Sequence, residues 1–456
     1  MKKFKKLLAV GLSISLCLGL VGCSAKAPDS SNTEKPANTS DSSGTAGSEN
    51  TPSGKKVEIT IATNWGEGDS KYDYFYPAFQ KFQEENKDTM EIKLETYSTE
   101  DYKTKIKVQT ASGDLPDAFT YWGGSMMNDM VDAGLLANVD TYFNDSAVVK
   151  RDDFNPASFA YYTSADGTTY GVPIESTRGV FLANKEIFDQ YGLQFPKTYE
   201  ELKEVSQVFN DNGIIPIAIG SSGGTPSEFF FSELYNQYSG AAEEIQNLAT
   251  TKKFATENAL KVANNIKDMI DNKMFPADTV ANGGWAASLQ LYTDKKAAMT
   301  YTYPWMFESI PEDIQNLSEI IPVPMLPDAN VDPAGMMTGF TVYGFAINKK
   351  SYEDQARHEA MVKVCDFLAS DELSVELTKS GMIPAKNIEV DLSSQKVIYQ
   401  KMMTFSQNKT LTQVHFTTMP KASAITAMDS SLDELFINGI TPQEFADKVQ
   451  AELDRK

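Results

Sequence analysis

The chain holds little that could bind a metal or form a disulfide. Of 456 residues only two are His, at 358 and 415, and three are Cys, at 17, 23 and 365. Cys17 lies in the N-terminal apolar stretch and Cys23 directly behind it, so Cys365 alone is left to a folded domain and no intrachain disulfide can form. A transition-metal site needs clustered His and Cys, so none is expected, nor any cofactor. Arginine is scarce as well, present only at 151, 178, 357 and 455, and the formal net charge is −21. With no basic patch, nucleic acid and anionic lipid surfaces are excluded as partners. No G-x-x-x-x-G-K-[ST] phosphate loop occurs, so energy from nucleotide hydrolysis must come from another polypeptide. Beyond residue 22 there is no apolar run of the roughly 20 residues that span a bilayer.

The N-terminus is different. Lys2, Lys3, Lys5 and Lys6 precede the uncharged run Leu7 to Val21, the n-region and h-region of a secretory signal. The run ends in Leu20-Val21-Gly22-Cys23, which resembles the lipobox of bacterial lipoproteins, where the signal is cut before a cysteine that then carries a diacylglycerol. This implies a signal peptide over 1–22, lipidation at Cys23, and a chain held on the outer face of the bacterial cell membrane by that anchor alone. Residues 24–55 are mostly Ser, Thr, Asn, Asp, Pro and Gly, with too little to bury, and read as a disordered tether. Its reach is roughly 30 Å by the square-root rule. Without residues 1–22 the formal charge goes from −21 to −25, mostly a solubility feature.

From Val57 the pattern is β-α-β-α-β: alternation at Val57, Ile59 and Ile61, helical spacing from Tyr74 to Asn86, a strand around Ile92 and Leu94, a helix over 99–111 and a strand over 117–121. Strands are expected near 171–175, 180–184, 214–219 and 341–348, and helices over 185–191, 257–272, 352–369, 422–437 and 442–453. Thr198 and Glu201 have the spacing of a capping box. On 257–272 the predicted buried stripe is Leu260, Ala263, Ile266, the stem of Lys267, and Ile270. In Ala297 to Trp305, AAMTYTYPW, a strand would send Met299, Tyr301 and Tyr303 to one face, and Pro304 would end it with Trp305 at a sheet end. The second βαβ pattern makes two α/β lobes.

All four tryptophans, 65, 122, 285 and 305, fall at strand ends or glycine-rich loops, where a site is expected in open α/β sheets. Several segments together resemble the family 1 extracellular solute-binding proteins of carbohydrate ABC importers, the class that contains maltose-binding protein. The segments are Ala111-Ser112-Gly113-Asp114-Leu115-Pro116-Asp117, Trp122-Gly123-Gly124, Gly134-Leu135-Leu136, Tyr170-Gly171-Val172-Pro173, Asn184-Lys185-Glu186-Ile187-Phe188, Ala298-Met299 with Trp305, and Gly381-Met382-Ile383-Pro384. Their order matches too, from Val57 to the C-terminus.

The resemblance implies a two-lobed periplasmic-binding-protein-like (type II) fold, each lobe a mixed, mostly parallel sheet flanked by helices, joined by a multi-strand hinge. It divides the chain into an N-terminal lobe of 57–173 plus about 344–400 and a C-terminal lobe of 174–343 plus about 401–456. It implies a monomer that binds a carbohydrate, an oligosaccharide by preference, and passes it to ABC permease and ATPase subunits. Carried over by position, the ligand-binding set is Asn64, Trp65, Trp122, Gly123, Glu175, Trp285, Tyr303, Trp305, Gly339 and Phe340, with Trp65 and Trp122 facing Trp305 across a cleft. Flat rings suit the C–H faces of a pyranose, and carboxylates and amides suit its hydroxyls. Two departures stand out: Tyr303 occupies a position often Gly, and Thr225 one often aromatic.

Other readings of the same residues are a surface sensor or adhesin, or a binder of a non-sugar solute. Gly220-Ser221-Ser222-Gly223-Gly224 fits G-x-S-x-G, which would make Ser222 a hydrolase nucleophile with His415 as base. Gly224, Thr225 and Pro226 separate that serine from any helix, which favours a glycine-rich loop and no enzyme. Arg178, three residues after Glu175, is a candidate partner for it.

Overall fold

The computed structural model describes residues 56–455 except 165, 223–224, 282, 413–414 and 417–418. The expected signal peptide, Cys23 and the tether lie outside the described residues. Those described belong to one compact unit. Among them no helix is long and apolar enough to cross a membrane.

Two sheets organise the chain. Strands β1 (Val57–Thr63), β2 (Met90–Thr96), β3 (Ala118–Tyr121) and β4 (Val172–Arg178) precede β5 (Val180–Asn184), β6 (Ile215–Ala218), β7 (Ala297–Thr302) and β8 (Ser318–Ile321). Then come β9 (Met336–Ile347), β10 (Ile383–Pro384) and β11 (Thr410–Thr412). The first sheet has the order β10-β4-β9-β3-β1-β2 with β11 added on β9, and the second the order β6-β7-β5-β8. β1 pairs in parallel with β2 and β3, because the helices Tyr72–Asn86 and Thr99–Ser112 carry the chain back each time. The second helix starts on Ser98, whose hydroxyl accepts from the Asp101 amide, and stops at Gly113 with φ 70°. The capping box of the helix Tyr199–Asp211 forms as its sequence requires, Thr198 and Glu201 bonding reciprocally.

Each sheet has its own core. Ile59, Ile61, Phe75, Phe79, Val364 and Leu368 lie in one cluster, and Phe181, Ile217, Met299, Phe231, Leu432 and Val449 in the other. The lobes are joined along the antiparallel pair β4–β9, whose ladder shifts register between Pro173 and Glu175 and again between Glu175 and Ser176. The chain then passes through Gly179 into β5 of the second sheet. The helix Val397–Ser406 packs Ile398 and Tyr399 against Val180, Leu182 and Tyr292.

The structure adds to the sequence reading at one strand and differs from it in three places. β7 has no exposed face: all six residues are buried, because it lies between β5 and β6 and is covered on both sides. The helix Glu257–Asp271 buries Ala259, Val262, Ala263, Ile266 and Met269, a stripe rotated by about one residue, so Lys267 faces outward and pairs with Asp271. The helix expected over 352–369 is two, Lys349–Glu353 and His358–Leu368. Arg357 at the break donates to Asp117 at 2.6 Å and to the Glu58 carbonyl at 2.7 Å. β9 begins five residues before Thr341, since β11 and the far half of β4 pair with its start.

Candidate functional site

Residues of the expected set meet where β4 and β9 run side by side. Glu175 stands opposite Tyr343 and Thr177 opposite Phe340. Cross-strand neighbours share a face, so a carboxylate, a phenol, a hydroxyl and a phenyl ring line one short ladder. Glu175 is buried and its Oε2 lies 3.2 Å from the ammonium of Lys71. Arg178, the partner suggested by spacing, makes no such contact; its Nη1 donates to the Thr177 carbonyl at 3.3 Å. Adjacent strand residues point to opposite faces, and Arg178 follows Thr177, which explains the difference. Burial lifts the Glu175 carboxyl above its ordinary range, with the charge of Lys71 pulling the other way.

From β1 come Asn64 and Trp65. Asn64 Nδ2 donates to the Tyr343 hydroxyl at 2.9 Å. Trp65 is 0% exposed, with its ring edge-on to Phe75 at 5.3 Å and to Tyr343 at 6.2 Å. Trp65 is therefore not an open wall facing Trp305: the side chains of Phe75, Tyr343 and Lys71 enclose it. Trp122, half-buried, lies with its centroid 4.9 Å from that of Tyr343, and the Lys103 ammonium stands over its ring at 5.3 Å. Gly123 serves the backbone, since a Cβ there would meet the Tyr161 carbonyl at 2.2 Å. Among the described residues, Asn64 Oδ1, Trp65 Nε1 and Thr177 Oγ1 are buried side-chain atoms without a hydrogen-bond partner. Such atoms cost about 1–3 kcal/mol each unless water or a ligand satisfies them.

The second lobe supplies an aromatic box. Trp305 is the second residue of a short 3₁₀ turn, Pro304–Ser309, just after β7. Trp285 is the first residue of the helix Trp285–Thr293, and their rings meet at 88° with centroids 5.7 Å apart. Tyr303 lies beneath Trp305, 0% exposed, with its hydroxyl 3.0 Å from that of Tyr301. Phe229 touches Trp285, Tyr303, Trp305 and Phe340. Gly339, buried, lets β9 pass 3.3 Å from the Thr177 carbonyl at the position of a Cβ. The His415 ring lies edge-on to Phe229 at 4.0 Å and tilted against Phe340 at 4.4 Å, and its Nε2 is 3.6 Å from Glu228. Burial pushes this imidazole down to about 3, so it is neutral.

Sequence reasoning missed Lys71, Thr177, Tyr343 and Phe229. The first three are legible only once the β4–β9 register is known; Phe229 was visible in the run Phe229-Phe230-Phe231 but ordinary for a core helix. Ser222 is exposed, while its neighbour Ser221 is buried and bonds Asp433 at 2.7 Å and Ser227 at 2.8 Å. His415 contacts Phe229, Phe340 and Glu228 instead. A separate cavity of about 520 Å³ on the first lobe, between Val149, Asp153, Asp371 and Lys386, contains none of the expected site residues.

Comparison with known proteins gives a consistent picture. The family model for bacterial extracellular solute-binding proteins matches residues 65–373. The chain belongs to that family. It is 23% identical over 323 residues, 70% of this chain and 74% of the relative, to a protein of Brucella abortus (strain 2308) named only as a binding protein. It is 21% identical over 229 residues, 48% of this chain and 52% of the relative, to the multiple sugar-binding protein of Streptococcus mutans serotype c. A solved chitin oligosaccharide binding protein superposes with a TM-score of 0.75 at 18% identity, covering 87% of this chain and 98% of that one. The two sheets joined by a crossing strand pair are thus the two-lobed, type II periplasmic-binding-protein-like fold.

Proposed function

We propose that this solute-binding protein holds a carbohydrate, an oligosaccharide by preference, between its lobes and delivers it to an ABC permease. The observation that carries the reading is the meeting of aromatic faces with the unpartnered polar atoms of Asn64, Trp65 and Thr177 around the β4–β9 pair. Trp305, Trp285 and Phe340 would stack on the C–H faces of sugar rings, as would Trp122 from the first lobe. Glu175, Asn64 and the indole N–H of Trp65 would hold hydroxyls. Tyr303, Gly123 and Gly339 act from beneath. The names of sugar-binding relatives support the same class.

Energetically little more is needed. Each stack adds about 1 kcal/mol beyond burial, and each hydrogen bond to a charged group about 1.5–3 kcal/mol. Two of each support micromolar binding, about −8 kcal/mol, after the costs of association. A ligand that touches both lobes favours the closed arrangement by its differential affinity for that arrangement, and the closed form would dock on the permease. We further propose a monomer carrying a lipid at Cys23 on the outer face of the cell membrane, with lobes divided near residues 173, 344 and 400, and a separate ATPase to drive transport.

A thermal-shift screen against mono- and oligosaccharides, read together with tryptophan emission, tests this. A stabilising oligosaccharide that changes the emission is expected. If no carbohydrate shifts the melting point and a peptide or metal complex does, the assignment fails.

A further inference from the structure

Among the described residues, Lys103 is the one cation that lies over an indole not itself enclosed. It lies on the helix Thr99–Ser112 of the first lobe, its ammonium 5.3 Å from the ring centroid of Trp122 and 2.9 Å from Glu100. The Glu100 carboxylate is 82% exposed, so that ion pair holds the lysine weakly. A cation over an indole occupies the face a pyranose would stack on, at a cost of about 1 kcal/mol to displace it.

The helix Ala422–Phe436 of the second lobe comes near enough for the charge of Lys103 to act on its Asp429. The lobes touch along this rim, where Asn128 Nδ2 donates to the Pro420 carbonyl at 3.4 Å. Asp429 and Asp433 are one helical turn apart on that helix. Asp433 accepts from Ser221. Glu228 faces Asp429 from the helix Thr225–Tyr235, with His415 beside it. The helix Pro442–Asp454 brings Lys448, but that ammonium pairs with Glu434 at 2.6 Å. Lys103, with Glu100 behind it, is the cation whose field reaches Asp429.

We infer that Lys103 is a gating and specificity-determining residue: a sugar ring stacking on Trp122 displaces its ammonium from the indole, and Asp429 on the opposite lobe receives it. The inference rests on the carbohydrate reading above and adds a residue and a condition to it. The ammonium keeps the ring face covered until ligand arrives, then bridges the lobes over it. Burial, followed by the charge of Asp433, pushes Asp429 up to about 7, and Lys103 pulls it down. Bringing the lysine closer lowers it further in the liganded form. The attraction is therefore complete above about pH 7, where Asp429 is ionised in both forms, and is lost as the pH falls below that.

Two measurements on the folded protein test it. In the ligand-free protein, acrylamide should quench tryptophan emission more in Lys103→Met than in wild type, and this difference should vanish in a Trp122→Phe background; an unchanged quenching constant overturns the inference. With the best binder among maltotriose, xylotriose, cellotriose and chitotriose, wild-type affinity should rise about fivefold between about pH 6 and about pH 8. Lys103→Met and Asp429→Asn should flatten that profile to within about twofold. A flat wild-type profile, or a slope kept by either variant, sinks the gate and leaves sugar binding standing. A folded wild type that binds no saccharide at any pH removes the carbohydrate reading and the gate with it.

Discussion

The indole of Trp305 lies flat on the phenol ring of Tyr303, with centroids 4.6 Å apart and planes 7° from parallel. One residue is half-buried and the other fully buried, so the pair separates the roles of wall and support. Trp305→Ala should lower oligosaccharide affinity about tenfold or more while the far-UV spectrum is unchanged. Tyr303→Phe keeps the stack and loses the hydroxyl contact to Tyr301; it should cost about 1 kcal/mol of stability in urea with affinity nearly intact. Equal losses of affinity in both variants would show that Tyr303 touches ligand.

Lys71 and Glu175 form an ion pair with side chains only 4% and 2% exposed. Removing one charge strands the other in a low-dielectric site, so Lys71→Met or Glu175→Gln should destabilise the fold by about 3–5 kcal/mol. Replacing both with apolar residues of similar size should recover most of that loss. Urea midpoints of the two single variants and the double variant decide it; additive losses would mean that the pair is not coupled.

Gly123 sits where any side chain would collide with the Tyr161 carbonyl. Gly123→Ala should force the backbone apart, costing about 1–3 kcal/mol, and should move the neighbouring Trp122, which a shift in tryptophan emission would report. An alanine variant as stable as wild type would show that the strip from Tyr161 can yield.

His415 is held neutral by burial, with its value in the fold near 3. An unfolded chain protonates it from about 6.5 downward. A base depressed in this way contributes stability that is whole above the unfolded value and is lost as the pH falls below it, by up to about 1.4 kcal/mol per pH unit. The gap in unfolding free energy between wild type and His415→Gln should therefore narrow between about pH 7 and about pH 5. A gap that stays constant would mean that the imidazole takes up its proton in the fold over the same range as in the unfolded chain.

Most of the element order was readable because each strand and helix carries its own periodicity and end signals. Ser98, Gly113 and the Thr198–Glu201 box are local devices that act within four residues, so sequence alone reveals them. What was not readable depends on pairing. The partner of Glu175 is Lys71 and not Arg178, since a strand turns consecutive side chains to opposite faces and a loop 104 residues away brings the ammonium in. Trp65 shares the strand-end position of Trp122, yet it is enclosed because Phe75 and Tyr343 close over it. Asp429 looked like any polar residue on an amphipathic helix, and only the approach of the first lobe gives it a counterpart.

The β4–β9 ladder changes register on both sides of Glu175. A pair of strands within a sheet resists torsion through its regular hydrogen bonds, and a bulge is where that resistance drops and local twist increases. The break in the ladder and a buried carboxylate therefore coincide at one residue. Whatever grips its side chain stiffens the pair at its softest joint.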